Sequence, residues 1–96
     1  MIRSFADAAS EDVFHGADTK PARGLPRGLW PVMRRKLDLL MAARSLWDLR
    51  VPPGNRLEPL RGDQAGRYSI RVNEQYRITF RFEDGGAWEV RCEDYH

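Results

Sequence analysis

The chain is short of cysteine, of lysine and of long apolar runs, and each shortage narrows what it can be. Its only thiol is Cys92, so no internal disulfide can form and a reducing compartment, the cytoplasm, is the simplest expectation. No apolar run approaches the roughly 18 residues of a membrane helix. The opening Met-Ile-Arg-Ser-Phe lacks a signal-peptide apolar stretch, so a soluble, unprocessed chain without membrane attachment is expected. Repeats and low-complexity segments are missing too. With 96 residues a chain buries only about two-thirds of its unfolded surface, which leaves no apolar material for a second core and implies one domain over 1–96. Lysine is scarce because 14 of the 16 basic residues are Arg. Phosphate recognition favours such a bias, since the planar guanidinium binds phosphate in bidentate fashion, although codon composition produces the same bias. The net charge of +2 and pI near 9.0 are too weak to establish a polyanionic partner. The last 36 residues hold six Arg against seven acids, so the placement of charge matters more than its total.

Placement is most informative from Arg67 to Phe82. Tyr68, Ile70 and Val72 alternate with Arg67, Ser69 and Arg71, and Tyr76, Ile78, Phe80 and Phe82 alternate with Arg77, Thr79 and Arg81. This period of two marks half-buried strands. Asn73-Glu74 lies between them and suits a tight turn, because Asn tolerates positive φ, so the pair reads as an antiparallel hairpin. One face is apolar and the other carries four arginines, whose mutual repulsion folding alone gives no reason to accept. Surface arginines also solubilise a sheet and discourage edge pairing; as a set, aligned in this way, they point to an anion-binding face.

The rest of the chain supplies helices and further strands. Asp7 can cap a short helix from Ala8 to His15, with Gly16 as its stop. Ala17 to Pro26 has two prolines and a glycine without periodicity, which predicts a mobile loop. A main helix is expected over Leu29 to Ala43, with Pro31 in its first turn and Trp30, Met33, Leu37, Leu40, Met41 and Arg44 along one stripe. Ser45 caps a last turn, and Val51-Pro52-Pro53-Gly54-Asn55 ends all helix. Arg56 to Leu60 reads as a short edge strand because Pro59 cannot donate to a central ladder. Glu83 to Gly86 forms another turn, and Ala87 to Glu93 a last strand with Trp88, Val90 and Cys92 inward. The fold class expected is α+β, with N-terminal helices on one face of a mostly antiparallel sheet.

Leu57-x-Pro59-Leu60-x-Gly62-Asp63-x-x-Gly66-x-Tyr68-Ser69-Ile70-Arg71-Val72-Asn73, then Tyr76-Arg77-Ile78-Thr79-Phe80, and the terminal Asp94-Tyr95-His96 together resemble HigB-type toxins of the RelE/ParE superfamily, the plasmid-maintenance killer proteins. The resemblance spans nearly the whole chain. It implies a RelE-like domain and a toxin of a type II toxin-antitoxin pair in the bacterial cytoplasm that cleaves messenger RNA on the ribosome. It also implies a HigA-type antitoxin whose helix-turn-helix domain links the complex to operator DNA.

Metal-free RNA cleavage needs a base for the 2′-hydroxyl, an acid for the leaving 5′-oxygen and cations for the charge that grows on the phosphate. Within the resemblance, the candidate catalytic set is Glu58, Arg61, Arg77, Asp94, Tyr95 and His96. Arg61 and Arg77 would clamp phosphate, His96 titrates near neutrality and suits base or acid, Asp94 would set its tautomer or act itself, and Tyr95 would orient a base or the phosphate. The family often has histidine at the position of Glu58, so the choice of base stays open among Glu58, Asp94 and His96. Arg67, Arg71 and Arg81 are the expected RNA-binding residues. No cofactor is called for, and a metal at Cys92, Asp94 and His96 is disfavoured because no second ligand cluster accompanies them. The competing functions are a ParE-like toxin that inhibits without cutting RNA, and a weakly catalytic toxin whose Arg face chiefly docks antitoxin or ribosome.

Overall fold

The computed structural model describes residues 1–95, so the expectation for His96 lies outside the described residues. Two helices, α1 (Ala8–Phe14) and α2 (Trp30–Ala42), lie on one face of a sheet built from β1 (Glu58–Pro59), β2 (Arg67–Arg71), β3 (Tyr76–Glu83) and β4 (Gly86–Asp94). Among the described residues these strands run in the order β1-β2-β3-β4, each antiparallel to the next. The α+β architecture expected from the periodicities is the one observed.

The helices form where their caps and stripes dictate. Asp7 accepts from the Ser10 N–H at 2.9 Å, and Gly16 leaves α1 with φ 74°, a conformation glycine reaches without steric cost. Trp30, Met33, Leu37 and Leu40 bury one side of α2 against Ile70, Ile78, Phe80 and Val90 in the core cluster. Each such side chain contributes about 1.5–3 kcal/mol on full burial. Arg44 lies beyond the helix end and is exposed, so the apolar stripe stops earlier than its spacing suggests. Ser45 and Asp48 then form a reciprocal capping box for the turn Leu46–Arg50. The Arg44 and Ser45 N–H groups hold the Asp48 carboxyl below its ordinary range.

Three expectations need correction. Ala17 to Pro26 is a bonded connector with a 3-10 turn at Ala22–Gly24. Ala22 and Leu25 are buried, Thr19 donates to Asp12 at 2.6 Å, and Asp18 accepts from Arg23 and Arg27. Two apolar anchors suffice there, too few to leave a period in the sequence. The strand expected over Arg56 to Leu60 shrinks to Glu58–Pro59, because Arg56 takes a left-handed conformation at φ 45° and Pro59 has no N–H to donate. Trp88 does not point inward. A bulge lies opposite Thr79–Arg81, with Glu89 at φ 53°, and it shifts the alternation by one residue. Ala87 is therefore buried in place of Trp88, and Trp88 pairs with Arg81 on the polar side.

The two sheet edges differ. Residues 1–6 run parallel to β4, with bridges Ile2↔Ala87 and Phe5↔Val90 and the Arg3 N–H donating to Ala87 O at 2.7 Å. The opposite edge is the short β1, blunted by Pro59. Among the described residues no helix is long and apolar enough to cross a membrane.

Candidate active site

The β2–β3 register sets Arg67 opposite Arg81 and Arg71 opposite Arg77, with Ser69 opposite Thr79 between the two pairs. All four arginines therefore share the side away from the helices, as their alternation requires. Their repulsion is offset by neighbouring carboxylates. Glu89 lies 3.7 Å from Arg67 and 3.2 Å from Arg81, and Glu83 also pairs with Arg81. The hydrogen bond from Arg81 to Glu83, followed by that to Glu89, holds the Arg81 pKa above its ordinary value. The bulge at Glu89 makes this possible by turning both Glu89 and Trp88 to the arginine side, where the Arg81 guanidinium lies 5.6 Å over the Trp88 ring.

Arg77 is the most enclosed of the four, only 8% exposed. Its Nη1 donates to Ser69 Oγ at 2.5 Å and its Nη2 to the Arg56 carbonyl at 3.4 Å. Glu58 pairs with Ser69 across β1 and β2, which puts it on the same side, and its Oε2 lies 3.5 Å from Arg77 Nη1. The Glu58 side chain is 56% exposed, so a half-open carboxylate stands beside a fixed, nearly buried guanidinium. A pair with one partner this exposed adds little to folding, about 0–1 kcal/mol. Glu93 faces Arg77 from β4 and accepts from the Thr79 hydroxyl at 2.6 Å.

The chain end completes this cluster in part. Tyr95 donates its N–H to Gln75 O at 2.7 Å, and its ring lies 5.5 Å from the Arg77 guanidinium carbon. Asp94 pairs with Tyr76 and so belongs to the helix side, where it lines a cavity of about 340 Å³ with Asp7, Leu25 and Tyr76. Its carboxylate accepts from Gln75 Nε2 at 2.8 Å. Gln75 thus grips both residues and ties Asp94 and Tyr95 to the β2–β3 turn. Arg61 follows β1 at the other end of the sheet, where Leu60 N–H donates to Arg67 O, and the structure does not bring it to Arg77. Of the sequence candidates, Glu58, Arg77 and Tyr95 converge, while Arg61 and Asp94 stand apart.

Several contributors lie outside the candidate set. Ser69, Thr79 and Glu93 share the arginines' alternation, which was a usable signal; Arg56 reaches the cluster through a backbone conformation that no residue pattern announces. Asn55 fixes the approach to Arg56: it is buried, donates to Leu49 O at 3.1 Å and Val51 O at 3.4 Å, and accepts from Lys36. Burial, followed by the charge of Arg35, lowers the Lys36 pKa. Among the described residues no three His, Cys, Asp or Glu side chains gather as metal ligands do.

Residues 3–96 match the HigB-like toxin family, described as RelE-like toxins of type II toxin-antitoxin systems. The chain is 49% identical over 98 aligned positions to a protein named endoribonuclease HigB from Proteus vulgaris, covering all of both chains. It is 44% identical over 87 residues to toxin HigB-1 of Vibrio cholerae, covering 91% of this chain and 90% of that one. The solved structure of YafQ from E. coli superposes with a TM-score of 0.62 at 15% identity, covering 98% of this chain and 93% of the other. At that identity the likeness is one of fold.

Proposed function

The chain belongs to the HigB-like family of RelE-like type II toxins, and from that premise we propose that it is an endoribonuclease that arrests growth by cutting messenger RNA on the ribosome. The observation that carries this reading is the Arg77 guanidinium, held by Ser69 and the Arg56 carbonyl and flanked by the Glu58 carboxylate. A scissile phosphate at Arg77 displaces Glu58 from the guanidinium and leaves that carboxylate beside the neighbouring 2′-hydroxyl. Glu58 takes the hydroxyl proton, the 2′-oxygen attacks phosphorus, and the bond from phosphorus to the 5′-oxygen breaks. The products are a 2′,3′-cyclic phosphate and a 5′-oxygen that takes up a proton. Arg77 stabilises the charge that grows on the phosphate oxygens, and because it is already fixed it reorganises little during the reaction.

Tyr95 is assigned the role of bracing Arg77 through its ring, and His96 that of proton donor to the leaving oxygen. Asp94 acts through Gln75 to position the chain end. Arg67, Arg71 and Arg81 face the flanking RNA, and Arg61 meets it beyond the cleavage site. The antitoxin that the family implies is of the HigA type, with a helix-turn-helix domain that brings the pair to operator DNA, and the working compartment is the bacterial cytoplasm. The test is incubation of purified protein with messenger RNA, with and without ribosomes, followed by mapping of new ends. Cleavage that yields cyclic phosphate and 5′-hydroxyl ends and needs ribosomes supports the reading. Growth arrest in cells without new RNA ends would replace it with a ParE-like toxin that does not cut RNA.

A further inference from the structure

An open depression of about 380 Å³ adjoins Arg77 and is lined by Arg56, Arg71, Asn73, Glu74 and Arg77. Two of its cations differ from the other arginines of the face. Arg67, Arg77 and Arg81 each have a carboxylate within 4.0 Å. Arg56 and Arg71 form no such pair among the described residues. Three guanidiniums thus line one hollow, and its single lining carboxylate, Glu74, is exposed.

The hollow has fixed walls. Asn55 anchors the residue before Arg56 by hydrogen bonds to two backbone carbonyls. Arg56 itself adopts φ 45° and ψ 57°, disfavoured for a residue with a Cβ, and this turns its carbonyl toward Arg77. On the other wall Asn73 Oδ1 accepts from the Gln75 and Tyr76 N–H groups at 2.8 and 2.7 Å, which rigidifies the turn next to Arg71.

We propose that Arg56 and Arg71 form a second phosphate subsite, which takes the phosphate next to the one held at Arg77. The site is anionic in preference because unpaired guanidiniums offer forked donors that match phosphate oxygens. The neutralised Arg67–Arg81 end of the face binds more weakly. The RNA origin of the phosphate rests on the ribonuclease reading; the phosphate chemistry of the hollow does not.

Two arms test this. In the first, inorganic pyrophosphate is titrated into the full chain while the arginine side-chain N–H resonances are followed by NMR. Saturable shifts at Arg56 and Arg71, with Arg67 and Arg81 unmoved, are expected; no shift, or equal shifts at all four, overturns the subsite. In the second, RNA carrying 2′-deoxyribose at the cleavage position binds wild type and the Arg56→Gln/Arg71→Gln variant, its fold checked by circular dichroism. A neutral methylphosphonate replacing the flanking phosphate should weaken binding to wild type about tenfold, as expected for loss of a charge-assisted hydrogen bond, and leave the variant unaffected. Equal weakening of both proteins overturns the subsite. Pyrophosphate shifts at Arg56 and Arg71 in a wild type that cuts no RNA would uphold the subsite and remove the ribonuclease reading.

Discussion

Glu58 Oε2 lies 3.5 Å from Arg77 Nη1, a carboxylate in contact with the one guanidinium of the arginine face that is nearly buried. The contact would place Glu58 where the proposed mechanism needs a general base, since the group that holds it in the free protein is also the group proposed to bind the reacting phosphate.

Glu58→Gln removes the proposed base and keeps the shape. Cleavage should fall about 100- to 10,000-fold, the usual contribution of a positioned base, with RNA binding unchanged. Glu58→His should restore much of the rate and shift the acidic limb of the pH–rate profile toward neutrality, because imidazole ordinarily titrates near 6.5. Wild-type rates from Glu58→Gln would assign the base to another group.

Asn55→Ala should destabilise the protein by about 1–3 kcal/mol, since the buried Leu49 carbonyl, the partly buried Val51 carbonyl and the Lys36 ammonium lose their partner together. Chemical denaturation reads this as a lower midpoint with an unchanged slope. An unmoved midpoint would show that the Asn55 bonds do not hold the approach to Arg56.

Burial pushes the Cys92 thiol up to about 12, with the Ser10 hydroxyl working against it and Asp7 adding to it. A thiol raised in the folded state contributes stability that is present below its unfolded value of 9.0 and is lost as pH rises toward the folded value. Stability should therefore fall above about pH 9 with a slope approaching 1.4 kcal/mol per pH unit from this group. Native protein at pH 8 should resist thiol alkylation. Cys92→Ala should flatten the alkaline decline; a decline unchanged in that variant would assign it elsewhere.

Periodicity revealed the hairpin and its arginine face because alternation decides which side of a strand each residue takes, and Arg67, Arg71, Arg77 and Arg81 fall where it says. It failed at Trp88, where one extra residue at Glu89 reversed the count, and no turn-forming residue marks that bulge. Arg77 was legible as a cation but not as a buried one, since its enclosure depends on Ser69 and on a carbonyl 21 positions earlier in the chain. Asp94 and Tyr95 looked like one motif. Strand geometry sends neighbours to opposite faces, so only Tyr95 reaches the cluster. Arg56 left no trace in the sequence because its place comes from a left-handed backbone and a buried Asn55.

The central claim is that Arg77 is the catalytic phosphate clamp of an RNA-cutting toxin. It is tested most directly by inducing wild type, Arg77→Lys and Arg77→Ala in cells that lack antitoxin, while primer extension maps messenger RNA ends and thermal melts follow the purified variants. Wild type should produce new ends and stop growth. Both variants should lose about 100- to 1000-fold in cleavage, the usual loss when a phosphate-stabilising donor is removed. Arg77→Lys should melt closer to wild type than Arg77→Ala, which leaves Ser69 and Glu58 without their partner. Messenger RNA cut at the wild-type rate by a folded Arg77→Lys protein would contradict the claim.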